Sequence, residues 1–312
     1  MPTPNNLVVA ASMGYFTGIN TVDPLTRLEP VPIKVGAGMK SAYPLAEAVN
    51  VDIGNTYELS SRDGCTKKVS GTNVHSFWAK NDVAFFVDGD KLFLLGVDYT
   101  VTELLSGLST GSRMSYSQVN DRVYMTNGAY IGYYNDLTMT ALSDPDVTYK
   151  LPLPAGQLIA YHRGKLLVAK GRVLYLADAL CNHYDIRTGF RVFEHDITML
   201  RPVDEGIYVS DGSTWYLVEK RAFADDPAEY KKEWVNGLDS IPFTDTLIDG
   251  AYVGEGVEGN VAVWSTSEGV CMGDNKGVVK IVTPNYLMAP AVIGAAAVRN
   301  IDGQVHYLAT IN

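Results

Sequence analysis

Residues 158–178 read "LIAYHRGKLLVAKGRVLYLAD". An alternating apolar run, a short polar turn at Arg163-Gly164, a second apolar run, a turn at Lys170-Gly171 and a third apolar run follow one another without a gap. Alternation at period two places successive side chains on opposite faces of a strand. Glycine at a two-residue turn between such runs is the signature of a tight hairpin. The stretch therefore predicts three antiparallel strands in sequence.

Four other stretches share this grammar: "FWAKNDVAFFVDGDKLFLLG" (77–96), "SYSQVNDRVYMTNGAYIGYYN" (115–135), "MLRPVDEGIYVSDGSTWYLVE" (199–219) and "AVWSTSEGVCMGDNKGVVKIV" (262–282). Their second turns are centred on Asp88-Gly89, Asn127-Gly128, Asp211-Gly212 and Asp274-Asn275. From Gly89 to Gly128, Gly171 and Gly212 the steps are 39, 43 and 41 residues. A period of about 40 with room for four strands is that of a β-propeller blade. Hairpins at similar spacing also build a β-sandwich or two small barrels, but the period favours the propeller.

The next step, Gly212 to Gly277, is 65 residues. The excess falls on a charged stretch at about 220–245, read as an insertion with a short helix near Pro227–Trp234. A truncated unit, "AAAVRNIDGQVHYLATIN" (295–312), ends the chain, and "NLVVAASMGYF" (6–16) is a strand that could complete it. Closing the last blade in this way leaves no long sheet edge unpaired. The expectation is a single domain over 1–312: an all-β propeller of about six blades, five or seven being the alternatives, closed by the N-terminal strand.

Composition agrees with strands. The chain has 312 residues, 46% of them apolar, with 29 Gly and 19 Tyr, long enough to bury a large core. Acidic residues outnumber basic ones 35 to 25, for a net charge of −10, which argues against a surface that grips nucleic-acid phosphates. Cys65, Cys181 and Cys271 are too dispersed for a zinc site or a disulfide framework. The N-terminal apolar run is too short for a leader, and "YLMAPAVIGAAAV" (286–298) is too short to span a bilayer. A soluble protein folded in a reducing compartment is expected.

No catalytic constellation emerges. "GLSTG" (107–111) matches the Gly-x-Ser-x-Gly elbow, but that motif needs a helix after the serine, and strand-like sequence follows Ser109. His75, His162, His183, His195 and His306 form no ligand pair. The densest polar clusters are His183 with Asp185 and His195 with Glu194 and Asp196, best read as loop or blade-edge hydrogen-bonding groups. Asp88, Asp90 and Asp274 lack the ligand density of a calcium loop, and hairpin chemistry accounts for them. The pairs Phe77-Trp78, Phe85-Phe86, Tyr133-Tyr134 and Trp215-Tyr216 are expected to pack on opposite faces of their blades. The reading is of no enzyme, with no catalytic residues, no cofactor-binding residues, no metal ligands and no cofactor.

The stretch "AEAVNVDIGNTYELSSRDGCTKKVSG" (46–71), with "GINTVDP" (18–24) upstream, reads as a strand-turn-strand entry. Val49, Val51 and Ile53 share a face, Gly54-Asn55 can turn, and Arg62-Asp63-Gly64 sets the return. It resembles the start of tailed-bacteriophage virion proteins of the head–tail stabilisation, or tail nozzle, family. The residues that carry this are Gly18, Ile19 and Asn20, then Ala48, Asn50, Val51, Asp52 and Ile53, then Leu59, Arg62 and Gly64. The resemblance implies a structural protein of the virion, at the head–tail connector or nozzle. It would form a homo-oligomeric ring with portal, adaptor or tail proteins as partners, and pass DNA through its lumen during ejection without specific binding. The competing functions are a tail-tip propeller that binds a host receptor or glycan, and a propeller enzyme.

Overall fold

The computed structural model describes residues 15–19, 29–35, 37–45, 51–53, 59–61, 66–80, 82–143, 145–220, 229–254, 256–283, 291–301 and 304–312. The chain divides into two compact units, Met1–Thr66 with Thr283–Met288, and Lys67–Val282 with Ala289–Asn312.

In the smaller unit β1 (Tyr15–Ile19), β2 (Val31–Val35) and β3 (Gly38–Leu45) form a sheet in which β1 runs parallel to β3 and β2 antiparallel to it. A hairpin of β4 (Val51–Ile53) and β5 (Leu59–Ser61) follows. The stretch 46–71 thus contains two paired strands, as its sequence predicts, while Val49, Gly54-Asn55 and Arg62-Asp63-Gly64 lie outside the described residues. The closing strand expected for the last blade falls mostly outside the described residues. Its continuation, β1, is paired with β3.

The larger unit is a succession of four-stranded antiparallel meanders. Blade 1 is β6 (Val74–Lys80), β7 (Val83–Asp88), β8 (Lys91–Leu95) and β9 (Val101–Leu105). Blade 2 is β10 (Ser115–Val119), β11 (Arg122–Thr126), β12 (Ile131–Asn135) and β13 (Thr138–Ala141). A short ribbon pairs β14 (Lys150–Pro152) with β18 (His183–Asp185), and between them lie β15 (Leu158–His162), β16 (Lys165–Lys170) and β17 (Val173–Leu176), joined by β19 (Phe190–Val192) as blade 3. Blade 4 is β20 (Met199–Pro202), β21 (Gly206–Ser210), β22 (Thr214–Lys220) and β23 (Glu229–Asn236). Blade 5 is β24 (Thr246–Asp249), β25 (Asn260–Thr266), β26 (Gly269–Gly273) and β27 (Val279–Ile281). The last unit is a long hairpin, β28 (Gly294–Ile301) with β29 (Gln304–Ile311).

Period-two patterning divides each blade between two cores. In blade 3, Leu158, Ala160, Leu167, Ala169 and Leu174 pack with Leu200, Ile207, Val209 and Leu217 of blade 4. Ile159, Leu166 and Val168 point the other way, onto Tyr124 of blade 2. The same interleaving joins blade 1 to blade 2 through Phe85, Leu92, Val123 and Met125, and blade 4 to blade 5 through Tyr208, Tyr216 and the fully buried Trp264. Burying a side chain of this size is worth about 1.5–3 kcal/mol. The layers between blades are therefore the core, and this face-to-face stacking of four-stranded meanders is a β-propeller.

The aromatic pairs obey the alternation. Tyr134 joins the layer toward blade 1 and Tyr133 the layer toward blade 3, while Trp215 and Tyr216 divide between blades 3 and 5. Phe85 stacks on Trp78, whereas Phe86 stacks on Phe93. Phe77 is the exception to packing, 63% exposed.

Two sequence expectations are corrected. The charged stretch at 220–245 is not an insertion: its central residues form β23, which pairs along β22 from Lys220↔Glu229 to Thr214↔Asn236. No helix occupies 229–234. A strand one-side exposed and rich in Lys and Glu reads as polar because only alternate residues reach a core, here the buried Tyr230. Residues 221–228, including Pro227, lie outside the described residues. Second, Asp274-Asn275 joins β26 to β27, the third turn of blade 5, whereas the glycine turns of blades 1 to 4 join second to third strands. The equivalent turn of blade 5 is Ser267-Glu268, so the 65-residue step compared unlike turns.

Candidate interaction surfaces

Strand hydroxyls tie blade 1 to blade 2, blade 2 to blade 3 and blade 4 to the segment entering blade 5. Met114 N–H donates to Ser76 Oγ at 2.8 Å, and Ile159 N–H donates to Ser115 Oγ at 3.1 Å. One turn further out, Thr126 Oγ accepts from Gly156 N–H (3.0 Å) and donates to Gly156 O (2.7 Å), and Ser240 N–H donates to Ser210 Oγ (3.0 Å). A Cβ on Gly156 would lie 2.2 Å from the Ala169 carbonyl oxygen, so only glycine fits this approach. These groups satisfy backbone donors that the core would otherwise strand.

Ser109, Asp88 and Asp274 are each hydrogen bonded within their turns and loops. Ser109 sits in the loop between β9 and β10, where its carbonyl accepts from Ser112 N–H; a strand rather than a helix follows, so the elbow geometry is not built. Asp88 accepts from the backbone N–H groups of Thr72 and Asn73, and Asp274 from those of Lys276 and Val278. Among the described residues no group of three or more His, Cys, Asp or Glu side chains could hold a metal.

His183 and His195 belong to two separate clusters. His183 Nε2 lies 3.4 Å from Asp178, whose carboxylate also meets Lys150 at 2.7 Å. Lys150 reaches on to Asp185, and Arg187 grips Asp185 through Nε (2.9 Å) and Nη2 (2.7 Å) while lying over the Tyr149 ring. This two-point hydrogen bond from Arg187 holds the Asp185 carboxyl well below the usual carboxylate range. The result pins the β14–β18 ribbon beside blade 3.

The other cluster is organised by Asp211, which accepts from Trp215 Nε1 at 2.6 Å and Glu194 N–H at 2.9 Å. His195 packs against the Gly212 turn, where φ is +94°. Lys232 Nζ lies 4.0 Å from the Phe193 ring centroid and 4.2 Å from that of Trp215. Burial lowers the Lys232 pKa against the opposing pull of Asp211 and Glu194. Each cluster is thus organised around carboxylates, Asp178 and Asp185 in the first and Asp211 in the second.

Two blade-to-blade seams were not visible in sequence. Arg163 donates to Glu205 (2.6 Å) and to the Asp204 carbonyl (3.1 Å), and Asp204 accepts from Asn260 and Asn275 of blade 5. Arg201 pairs with Asp245, the latter almost wholly buried.

The outer edge of blade 4 is a candidate surface for a partner. At eight residues β23 is the longest outer strand of the five blades, it is hydrogen bonded on one side only within its sheet, and Trp234 on it is 62% exposed. An open strand edge is a template for pairing with another chain, and Lys and Glu on the edge guard it against indiscriminate pairing.

No protein-family model matches the chain, and no curated protein matches it. Among solved structures the chain is similar to BBS1N in complex with ARL6DN (11% identity, TM-score 0.48, 73% of this chain and 72% of that one). It is also similar to the WD40 β-propeller domain of Doa1 (10%, 0.38, 65% and 66%) and to virginiamycin B lyase from Staphylococcus aureus (11%, 0.44, 76% and 84%). Similarities this distant carry no functional conclusion. Among the described residues no helix is long and apolar enough to cross a membrane.

Proposed function

We propose that this chain is a structural virion protein of a tailed bacteriophage, part of the head–tail connector or tail nozzle ring. Copies pack around the tail axis, each propeller serving as a rigid body, and portal, adaptor or tail proteins are the neighbours. The observation that carries the reading is the outer edge of blade 4, a long strand with an exposed tryptophan and interspersed charges. Aromatic residues at an exposed edge are the usual anchors of protein interfaces. The N-terminal resemblance supplies the virion context, with Gly18, Ile19 and Val51–Ile53 in β1 and β4; Asn20, Ala48, Asn50, Arg62 and Gly64 lie outside the described residues. A net charge of −10 suits a lumen past which DNA slides.

The test mixes purified chain with DNA-filled heads that lack it. Wild type co-sediments with the heads, and Trp234→Asp, folded to the same degree, stays in the supernatant. Equal co-sedimentation of the two would show that the edge of blade 4 is not the contact.

A further inference from the structure

A cavity of about 410 Å³ opens between blades 2 and 3, on the face that carries the first turns of both blades. That is within the range of small-molecule sites, about 300–1,000 Å³. Its wall is unusual in composition. Asn120 and Asp121 come from the β10–β11 turn, Arg122 from the start of β11, Asn135 from the end of β12, and Asn182 from the loop that enters the β14–β18 ribbon, with Tyr161 beside them. The floor is buried Tyr124 and Leu166.

Several Asn side chains of the larger unit are engaged by protein groups: Asn127 caps its turn, and Asn260 and Asn275 bind Asp204. The side-chain amides of Asn120, Asn135 and Asn182, from three different segments, have no protein partner among the described residues. Each presents an acceptor and two donors. The Arg122 guanidinium carbon lies 4.8 Å from the centroid of the Tyr133 ring, and the guanidinium hydrogen bonds to the Tyr124 side chain at the floor, so two tyrosines hold it in the wall.

Convergent amides, one acid, one base and an aromatic wall form a lining without net charge that both donates and accepts. A phosphate or carboxylate would find one guanidinium offset by the neighbouring Asp121. A neutral polyhydroxylated ring fits better, because every hydroxyl both donates and accepts, and its C–H face can lie on Tyr161. We propose that this groove is a binding site for a neutral saccharide unit. The site is independent of the blade 4 edge, so it stands or falls separately from the ring assignment.

Cys181 lies in the same wall, a half-exposed free thiol, and provides a readout on the unaltered chain. Glucose, galactose, N-acetylglucosamine, rhamnose and N-acetylneuraminic acid are offered in turn to the full chain in saturation-transfer difference NMR. The Cys181 alkylation rate is followed by peptide mass spectrometry in each. At least one neutral sugar is expected to show transfer and to slow Cys181 alkylation severalfold. Asn135→Ala and Asn182→Ala, with unchanged melting temperatures, are each expected to weaken binding at least tenfold. Absence of transfer from all four neutral sugars, transfer without protection of Cys181, or transfer from N-acetylneuraminic acid alone would overturn the proposal.

Discussion

The indole N–H of Trp215 donates to the Asp211 carboxylate at 2.6 Å, and the same carboxylate receives Glu194 N–H at 2.9 Å. One turn residue thereby joins the second and third strands of blade 4 to the segment arriving from blade 3. Asp211 is only 3% exposed, so its removal leaves donors without partners. Asp211→Ala is expected to lower unfolding stability by about 1–3 kcal/mol, read from urea midpoints, with Asp211→Asn milder. An unchanged midpoint would mean that the turn is held by its backbone alone.

Gly156 meets the Ala169 carbonyl so closely that no Cβ fits, and both of its polar groups engage Thr126. Gly156→Ala should therefore cost about 1–3 kcal/mol through overpacking, whereas Gly237→Ala, with open space around it, should change stability by less than about 0.5 kcal/mol. Thermal melts of the two variants make the comparison.

Asp185 carries the clearest pH dependence. Its folded pKa is depressed by Arg187, then by the Arg187 backbone N–H and Lys150. A depressed carboxylate contributes stability that is present above its unfolded value of 3.8 and disappears as pH falls below it through the folded value. Asp185→Asn is expected to be less stable than wild type at pH 7, with the gap closing toward pH 2. A gap that is constant with pH would contradict the Arg187 pairing.

The free thiols should differ sharply. Cys271 is fully buried, and burial pushes its thiol up to about 11. At pH 8 it should resist iodoacetamide until the chain unfolds, while half-exposed Cys181 reacts in the native state. Site-specific peptide mapping separates the two.

Much of the fold is legible in the chain because hairpin turns and period-two alternation are local. Asp88-Gly89, Asn127-Gly128, Lys170-Gly171 and Asp211-Gly212 all join second to third strands of their blades. Phase within a blade is not local. Asp274-Asn275 looks like the same turn but is one strand later, because the second turn of blade 5 is Ser267-Glu268, which lacks the Asn-Gly or Asp-Gly signal. The strand β23 was hidden by its Lys and Glu residues, which sit at a sheet edge. The β14–β18 ribbon was missed because three-residue strands with a long sequence separation leave no pattern.

The interaction sites were less legible. Ser76, Ser115, Thr126 and Ser210 act across 30 to 44 residues, and nothing near them in sequence distinguishes them from other hydroxyls. The amides of Asn120, Asn135 and Asn182 converge only because the first turn of blade 2, its third strand and the ribbon loop meet in space. Of the two polar clusters that the sequence offers, the one at His183 meets Asp178 and Lys150 through its side chains, whereas at His195 the backbone N–H groups of Glu194 and His195 donate to Asp211.

Exposed Trp234 separates assembly from stability. Trp234→Ala should leave the unfolding stability read from urea titration within about 0.5 kcal/mol of wild type while weakening the proposed association with phage heads. A large stability loss would place Trp234 in the core of blade 4 and remove the edge as an interface.

The most direct measurement for the central claim, that the chain is a virion protein, is quantitative peptide mass spectrometry on phage particles purified from the source of the chain, with abundance scaled to the portal protein in the same sample. The account predicts an abundance equal to the portal or a simple fraction of it. Absence from the particle would contradict it.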